Sequence, residues 1–527
     1  MVSLCKRLRA AFVAVAAPAF LLTGTAVADV KLPAVIGDSM ILQQGQPVPI
    51  WGWAEDGEKV TVKFGQQTLT ADTVGGKWMV KLSPLTASDK PAEMTVSGKN
   101  SITLKDILVG EVWVCSGQSN MEWSVQASAN PKEEIANAKH PTIRLFDVPN
   151  TTSPTEKLTD TKASWKPCAP ENIPPFSAVA YYFGRELNQK LGVPIGLVHS
   201  SWGGTPAEAW TEISYFQKHP ELAGAPANWE KQAENYPKAK EAFEKNKAKL
   251  MADWKAKADA AKAAGKPVPQ QPRAPQDPSA SPHRPATLYN GMISPLLPYA
   301  VKGAIWYQGE SNASRAYQYR TLLPAMIQSW RDAWGNPDFK FLIVQLANFR
   351  APAENPGDDE WAELREAQSL TAAMPNNGMA LAIDLADADN PGDIHPRNKQ
   401  DVGKRLALVA LGKVYGKDVA FSGPMYDSMK VEGDKVVLTF KHAEGLTAKG
   451  GDKLTGFAIA GEDKKWVWAD AKTEDDKVIV SSPEVKKPVA VRYAWSTNPV
   501  ANLYNAAGLP ASPFRTDDWP GMTQPKK

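Results

Sequence analysis

Between Ile107 and Tyr415 the chain alternates short apolar runs with stretches of helical periodicity, and this limits the folds open to it. The runs are Leu108 to Cys115, Val193 to Val198, Val301 to Tyr307, Phe339 to Leu346 and Met379 to Ile383. Ala178 to Leu191 and Asn398 to Tyr415 carry apolar residues at helical spacing. Near-continuous apolar strands separated by helices predict a parallel sheet buried on both faces, an α/β/α arrangement. In such sheets ligands bind beyond the carboxyl ends of the strands, so the polar residues that end each run are where chemistry is expected.

The flanks read differently. From residue 29 to 106, runs such as Val48 to Trp53, Lys59 to Phe64 and the alternating Lys77 to Leu82 are punctuated by glycines, as in a small β domain. After about residue 418 the β pattern returns, in Lys435 to Phe440, Lys477 to Val480 and Ala490 to Tyr493. This is a second β domain or the partner of the first. The catalytic α/β region is expected to span 107–417. Within it, 212–281 is an insertion: an Ala/Lys/Glu-rich stretch from Trp229 to Ala264, then a Pro/Gln-rich one. It reads as a solvated helical hairpin with a flexible loop, or as a lid over the site.

The first 28 residues look like an export signal. Lys6, Arg7 and Arg9 precede an apolar run from Ala10 to Leu22, and Ala26-Val27-Ala28 offers a cleavage site. The run is too short to span a bilayer, so an exported protein without membrane insertion is expected, periplasmic or extracellular. A net charge of +3, from 60 basic and 57 acidic residues, gives no reason to expect nucleic acid. Cys115 and Cys168 remain after the signal; they could pair or stay as buried thiols.

Four segments place polar groups just past apolar runs. Ser116-Gly117-Gln118-Ser119-Asn120-Met121 offers a serine after a glycine, but lacks the second glycine of an α/β-hydrolase elbow. Ser201-Trp202-Gly203-Gly204-Thr205 offers backbone N–H groups. Trp306 to Asn312 supplies Gln308, Glu310 and Asn312 in quick succession. Asp393-Ile394-His395-Pro396 supplies an imidazole, the usual base for a serine. His199, two residues before Ser201, is its rival. No histidine pair stands at metal-ligand spacing, so metal-dependent hydrolysis is a weak reading and no metal or other cofactor is expected.

Together with Gly110 to Trp113, Arg397-Asn398-Lys399, Asp38 to Gln44 and Asn502 to Asn505, these blocks resemble the sialate O-acetylesterase family of SGNH hydrolases. The resemblance covers nearly all of the chain after the signal except the insertion. It implies a three-layer α/β/α SGNH sheet between N- and C-terminal β domains. It implies that Ser119 attacks an acetyl carbonyl on a carbohydrate and that His395 is the general base. The oxyanion hole would comprise the N–H groups of Ser119 and Gly204 and the amide of Gln308, with Asn312 as substitute. Gln118, Asn120, Trp202, Glu310, Asn312 and Arg397 would meet substrate. One departure stands out. The family's carboxylate lies three residues before the base, where this chain has Gly392; Asp393 is only two before. Asp393 is the expected third member; Glu310, Asp384, Asp387, Asp389 or a backbone carbonyl are the alternatives. A sialic acid carboxylate could pair with Arg397, Arg350 or Arg315. Trp113, Trp123, Trp202, Trp210 and Trp306 lie near the blocks and could face sugar rings, though a Trp is more often core. Acetylated plant polysaccharide is the other substrate class. A carbohydrate-binding protein with an inert core is the alternative function, and the oligomeric state is not legible.

Overall fold

The computed structural model describes residues 29–525, so the export signal expected at 1–28 lies outside the described residues. Six strands open the chain: β1 (Ile41–Gln43), β2 (Val48–Trp53), β3 (Lys59–Phe64), β4 (Gln67–Asp72), β5 (Lys77–Leu82) and β6 (Ser88–Ser97). The next strand, β7 (Ser101–Gly117), is 17 residues long and serves two sheets. Its first half pairs antiparallel with β6, and Leu108 to Gly110 pair parallel with β1. Its second half is the middle of the catalytic sheet. The expected domain boundary at 106/107 therefore falls inside a strand. Asp106 marks the place: it takes φ +56°, a left-handed kink that aspartate tolerates, and its carboxylate binds Arg144 at 2.9 Å.

The catalytic sheet adds β8 (His140–Asp147), β9 (Trp165–Cys168), β10 (Ile195–Ser201), β11 (Gly303–Tyr307), β12 (Lys340–Val344) and β13 (Asn377–Ala380). The order is β13-β12-β11-β7-β10-β8-β9, parallel except for β9 at the edge. Side chains alternate between two cores, as the period of a strand requires. Val112 and Val114 of β7, Trp306 of β11 and Phe341 of β12 face one. Trp113, Cys115, Ile305 and Leu342 face the other.

The helices are α1 (Ser119–Glu122), α2 (Pro131–Ala136), α3 (Ala178–Leu191), α4 (Ser214–Lys218), α5 (Gly224–Ala263), α6 (Ala316–Trp334), α7 (Glu360–Ala372) and α8 (Lys399–Lys413). α6 and α7 cover the first face, α3 and α8 the second, which gives the α/β/α layering. Among the described residues, Cys115 and Cys168 are buried and unpaired.

The Ala/Lys/Glu-rich part of the insertion is a single 40-residue helix, α5, not a hairpin. It holds Pro237 in its interior, and the chain after it returns extended, tied by the Trp254 indole to the Pro269 carbonyl at 2.8 Å. The C-terminal region has its own core, in which Val436, Leu438 and Val480 of one four-stranded sheet meet Ile459, Val491 and Phe514 of another. It is anchored to the catalytic region by Arg365, which is fully buried and donates to the Ser496 and Thr497 carbonyls. No helix among the described residues is long and apolar enough to cross a membrane.

Candidate active site

Strand register brings three of the four segments to one level. Gly117 pairs with Ser201 on one side and Tyr307 on the other. The first turn after β7 needs glycine: Gly117 has φ +144°, and a Cβ there would stand 2.1 Å from the Tyr307 carbonyl oxygen. The chain then turns at once into α1, whose first residue is Ser119. The Ser119 hydroxyl, half-buried, lies 2.8 Å from His395 Nε2. The fourth segment reaches this point from the loop before α8, where Asn398 caps the helix by accepting from the Asp401 N–H.

The imidazole is held more by packing than by a carboxylate. Trp123 stacks on it, with ring centroids 5.0 Å apart and planes 16° from parallel. Asp393 Oδ1 stands 3.8 Å from His395 Nδ1, beyond hydrogen-bonding distance. That oxygen instead accepts the backbone N–H of His395 at 2.8 Å. The expected third member thus shapes the loop rather than bonding the ring. The alternatives are committed elsewhere. Asp384 binds Arg405 and Tyr504, and Asp387 and Asp389 bind Arg397. Asp393→Asn is therefore expected to lower kcat by about 10-fold, against the ~10⁴ that loss of a bonded triad carboxylate costs. Steady-state kinetics beside His395→Ala checks this; equal losses would mean that the carboxylate bonds the ring during turnover.

Several expected contact residues are turned inward. Gln308 is fully buried; its amide nitrogen donates to Asn312 Oδ1 at 2.7 Å and its oxygen accepts from Tyr319. It is not available as an oxyanion donor. Asn312, equally buried, also donates to Glu208 at 2.9 Å, so it cannot substitute or meet substrate. Gln118 is buried and accepts the Ser311 N–H at 3.3 Å, joining the first and third segments. Trp202 is half-buried and packs on the core, and exposed Arg397 is neutralised by its two aspartates.

Asn120 is the most consequential of these corrections. It is fully buried and bridges the loops that carry Ser119 and His395. Its nitrogen donates to Glu310 Oε1 at 2.6 Å and to the Ile394 carbonyl at 2.9 Å. Its oxygen accepts from Lys399 Nζ at 2.5 Å. An ammonium only donates, so Lys399 fixes which end of the amide faces which partner. One Glu310 oxygen is thereby held by Asn120; burial raises the pKa of the carboxyl, and its second oxygen is buried without a partner among the described residues. Lys399 is fully buried, and desolvation pulls its pKa down to about 7. In the sequence Lys399 follows Arg397-Asn398 with no signal of its burial.

The glycine pair lies against Ser119. A Cβ on Gly203 would stand 3.3 Å from Ser119 Cβ, and the Gly203 N–H donates to Glu122 Oε2 at 2.7 Å. Gly204 follows at φ +75° with open space where a Cβ would be, and its N–H has no protein acceptor among the described residues. Ser119 opens its helix, so its N–H has no carbonyl of that helix to bond.

His199 is bound elsewhere. Its Nδ1 lies 2.7 Å from Asp147 and its Nε2 2.5 Å from Ser201 Oγ. This is a Ser–His–Asp chain in outline, but Ser201 is the last residue of β10 and only 3% exposed. Among the described residues, no three His, Cys, Asp or Glu side chains are grouped to hold a metal ion.

Residues 281–412 match the family model described as a carbohydrate esterase, sialic acid-specific acetylesterase. The chain is 32% identical to a sialate O-acetylesterase of Rattus norvegicus, over 92% of this chain and 94% of that one. It is 31% identical to the Homo sapiens sialate O-acetylesterase, over 93% and 94%. The crystal structure of a carbohydrate acetylesterase from Xanthomonas citri superposes with a TM-score of 0.78 at 36% identity, covering 93% of this chain and all of that one. With the likeness running through both β regions and the α/β sheet between them, this chain belongs to the sialate O-acetylesterase family and is a carbohydrate O-acetylesterase.

Proposed function

We propose that the chain is an exported serine esterase that removes O-acetyl groups from sialic acid or plant polysaccharide side chains through an acetyl-enzyme. The carrying observation is the 2.8 Å contact between Ser119 Oγ and His395 Nε2 at the carboxyl end of the sheet. Ser119 Oγ bonds to the acetyl carbon while its proton passes to His395 Nε2. The oxyanion is met by the N–H groups of Ser119 and Gly204. Collapse breaks the bond to the sugar oxygen, which takes the proton from His395. Water then adds to the acetyl-enzyme, giving its proton to His395; acetate leaves, and the proton returns to Ser119. Export rests on the composition of residues 1–28.

The test is rapid-quench mass spectrometry during turnover of a chromogenic acetate ester, followed by acetate release from acetylated sialosides and oligosaccharides. Ser119 is expected to gain one acetyl group. Turnover with Ser119 never acetylated would overturn the intermediate. Glycan binding without release of acetate from any ester would favour an inert core.

A further inference from the structure

The open side of Gly204 leads into a cleft of about 540 Å³, within the ~300–1,000 Å³ of small-molecule sites. Its inner wall is the catalytic region: Gly204, Glu208, Ser311 and Arg315. Its outer wall is the start of α5: Ala225, Asn228, Trp229 and Gln232. These four positions are spaced three and four apart and share one face of the helix. The helix is seated there by Leu222, which is buried, and by Ala225, which packs on the main core. A second cleft, of about 470 Å³, shares Asn228 and Gln232 with the first. It continues along the same helix past Asn235 and Tyr236, and its far wall is the returning chain at Pro275 to Pro278.

We infer that these clefts form one groove that binds the glycan chain bearing the acetylated sugar, a neutral polysaccharide laid along α5 with sugar rings on Trp229 and Tyr236. This rests on the esterase reading above. Trp229 and Tyr236 are both half-buried and lie two helical turns apart, about 10.5 Å along the axis. That is about the length of a disaccharide. Aromatic faces suit the apolar faces of sugar rings, and the amides of Asn228, Gln232 and Asn235 offer both donors and acceptors to hydroxyls. Charge argues for a neutral chain. Arg315 is paired with Glu208 at 3.0 Å, so the two cancel. Lys231, exposed on the second cleft, and Lys240, whose ammonium lies 5.9 Å from the centroid of the Tyr236 ring and leaves the other face of that ring to a sugar, are too little for a polymer with a carboxylate on each residue.

The experiment compares kcat/KM for an acetylated neutral oligosaccharide, the corresponding acetylated monosaccharide, an acetylated sialoside and a chromogenic acetate ester. The wild-type enzyme is expected to favour the oligosaccharide over both other carbohydrates by about 10-fold or more. In Trp229→Ala and Tyr236→Ala, the ratio of oligosaccharide to chromogenic-ester kcat/KM is expected to fall about 10-fold. Trp229→Phe should restore most of that ratio, which loss of folding would not allow. Unchanged ratios in both alanine variants, or a wild-type preference for the sialoside, would overturn the groove while leaving the esterase standing. Hydrolysis of the chromogenic ester with no acetate released from any carbohydrate would overturn the carbohydrate substrate of the esterase, and the groove with it.

Discussion

Replacing Ser119 by alanine is expected to lower acetate release by at least ~10³-fold while leaving the circular dichroism spectrum unchanged. The hydroxyl is half-buried and its hydrogen bond is to His395, so its loss opens no core cavity and strands no deeply buried group. What remains is a site that still presents backbone donors but has no group to take the acetyl. The comparison variant is Ser201→Ala, because Ser201 also lies 2.5 Å from a histidine that touches an aspartate. Its placement inside a strand and its 3% exposure deny it contact with an ester. Ser201→Ala should keep most of the activity. Near-normal turnover by Ser119→Ala, with loss in Ser201→Ala, would move the nucleophile to the neighbouring strand.

The two histidines separate in the same way. His395→Ala should remove activity by at least ~10³-fold, since His395 Nε2 is the group hydrogen-bonded to the Ser119 hydroxyl and so placed to accept its proton. His199→Ala should retain most of the rate but lose stability, by roughly 1–3 kcal/mol, because it empties a buried ring and strands the Ser201 hydroxyl. The pH profile carries a second signature. Burial is the main cause that lowers the His395 pKa; Lys399 lowers it further and Asp393 opposes them. A base works only when neutral, so the rate falls as pH drops through that pKa. The acid limb should therefore have its midpoint below the ~6.5 of an ordinary histidine. An acid limb above that value would mean that the charge around the ring is not as described.

The sheet was legible because its strands are buried on both faces and so read as plain apolar runs. The Ser119 and His395 segments were legible because each follows such a run. The run ending at Val198 nonetheless continues as β10 to Ser201, since polar residues can close a strand whose partners supply the ladder. β8 and β9 were not legible: Pro141, Arg144 and Pro167 break the apolar pattern, and buried Arg144 is met by Asp106 and by the Pro141 carbonyl. The roles of Gln308, Asn312 and Asn120 were not legible, because a polar residue at a strand end serves either a ligand or its neighbours. That choice is made by groups distant in sequence, such as Tyr319, Glu208 and Lys399. The long helix α5 was half legible. Its composition showed a solvated helix, but no turn signal marks where a hairpin would fold back, and none occurs.

The strand that serves two sheets has a consequence for how the protein comes apart. Hydrogen bonds to β6 and β1 on its first half and to β10 and β11 on its second share one backbone, with Asp106 at the kink between them. Melting the first half frees Leu108 to Gly110 from β1 and β6 immediately beside Glu111, where the pairing with β10 begins. The amino-terminal β region and the sheet that ends at Gly117 therefore belong to one cooperative unit, with amide protons along β7 sharing a single opening free energy. Cutting the gene at residue 107 would not release an independent catalytic module: it would sever the strand whose far end sets the position of Ser119.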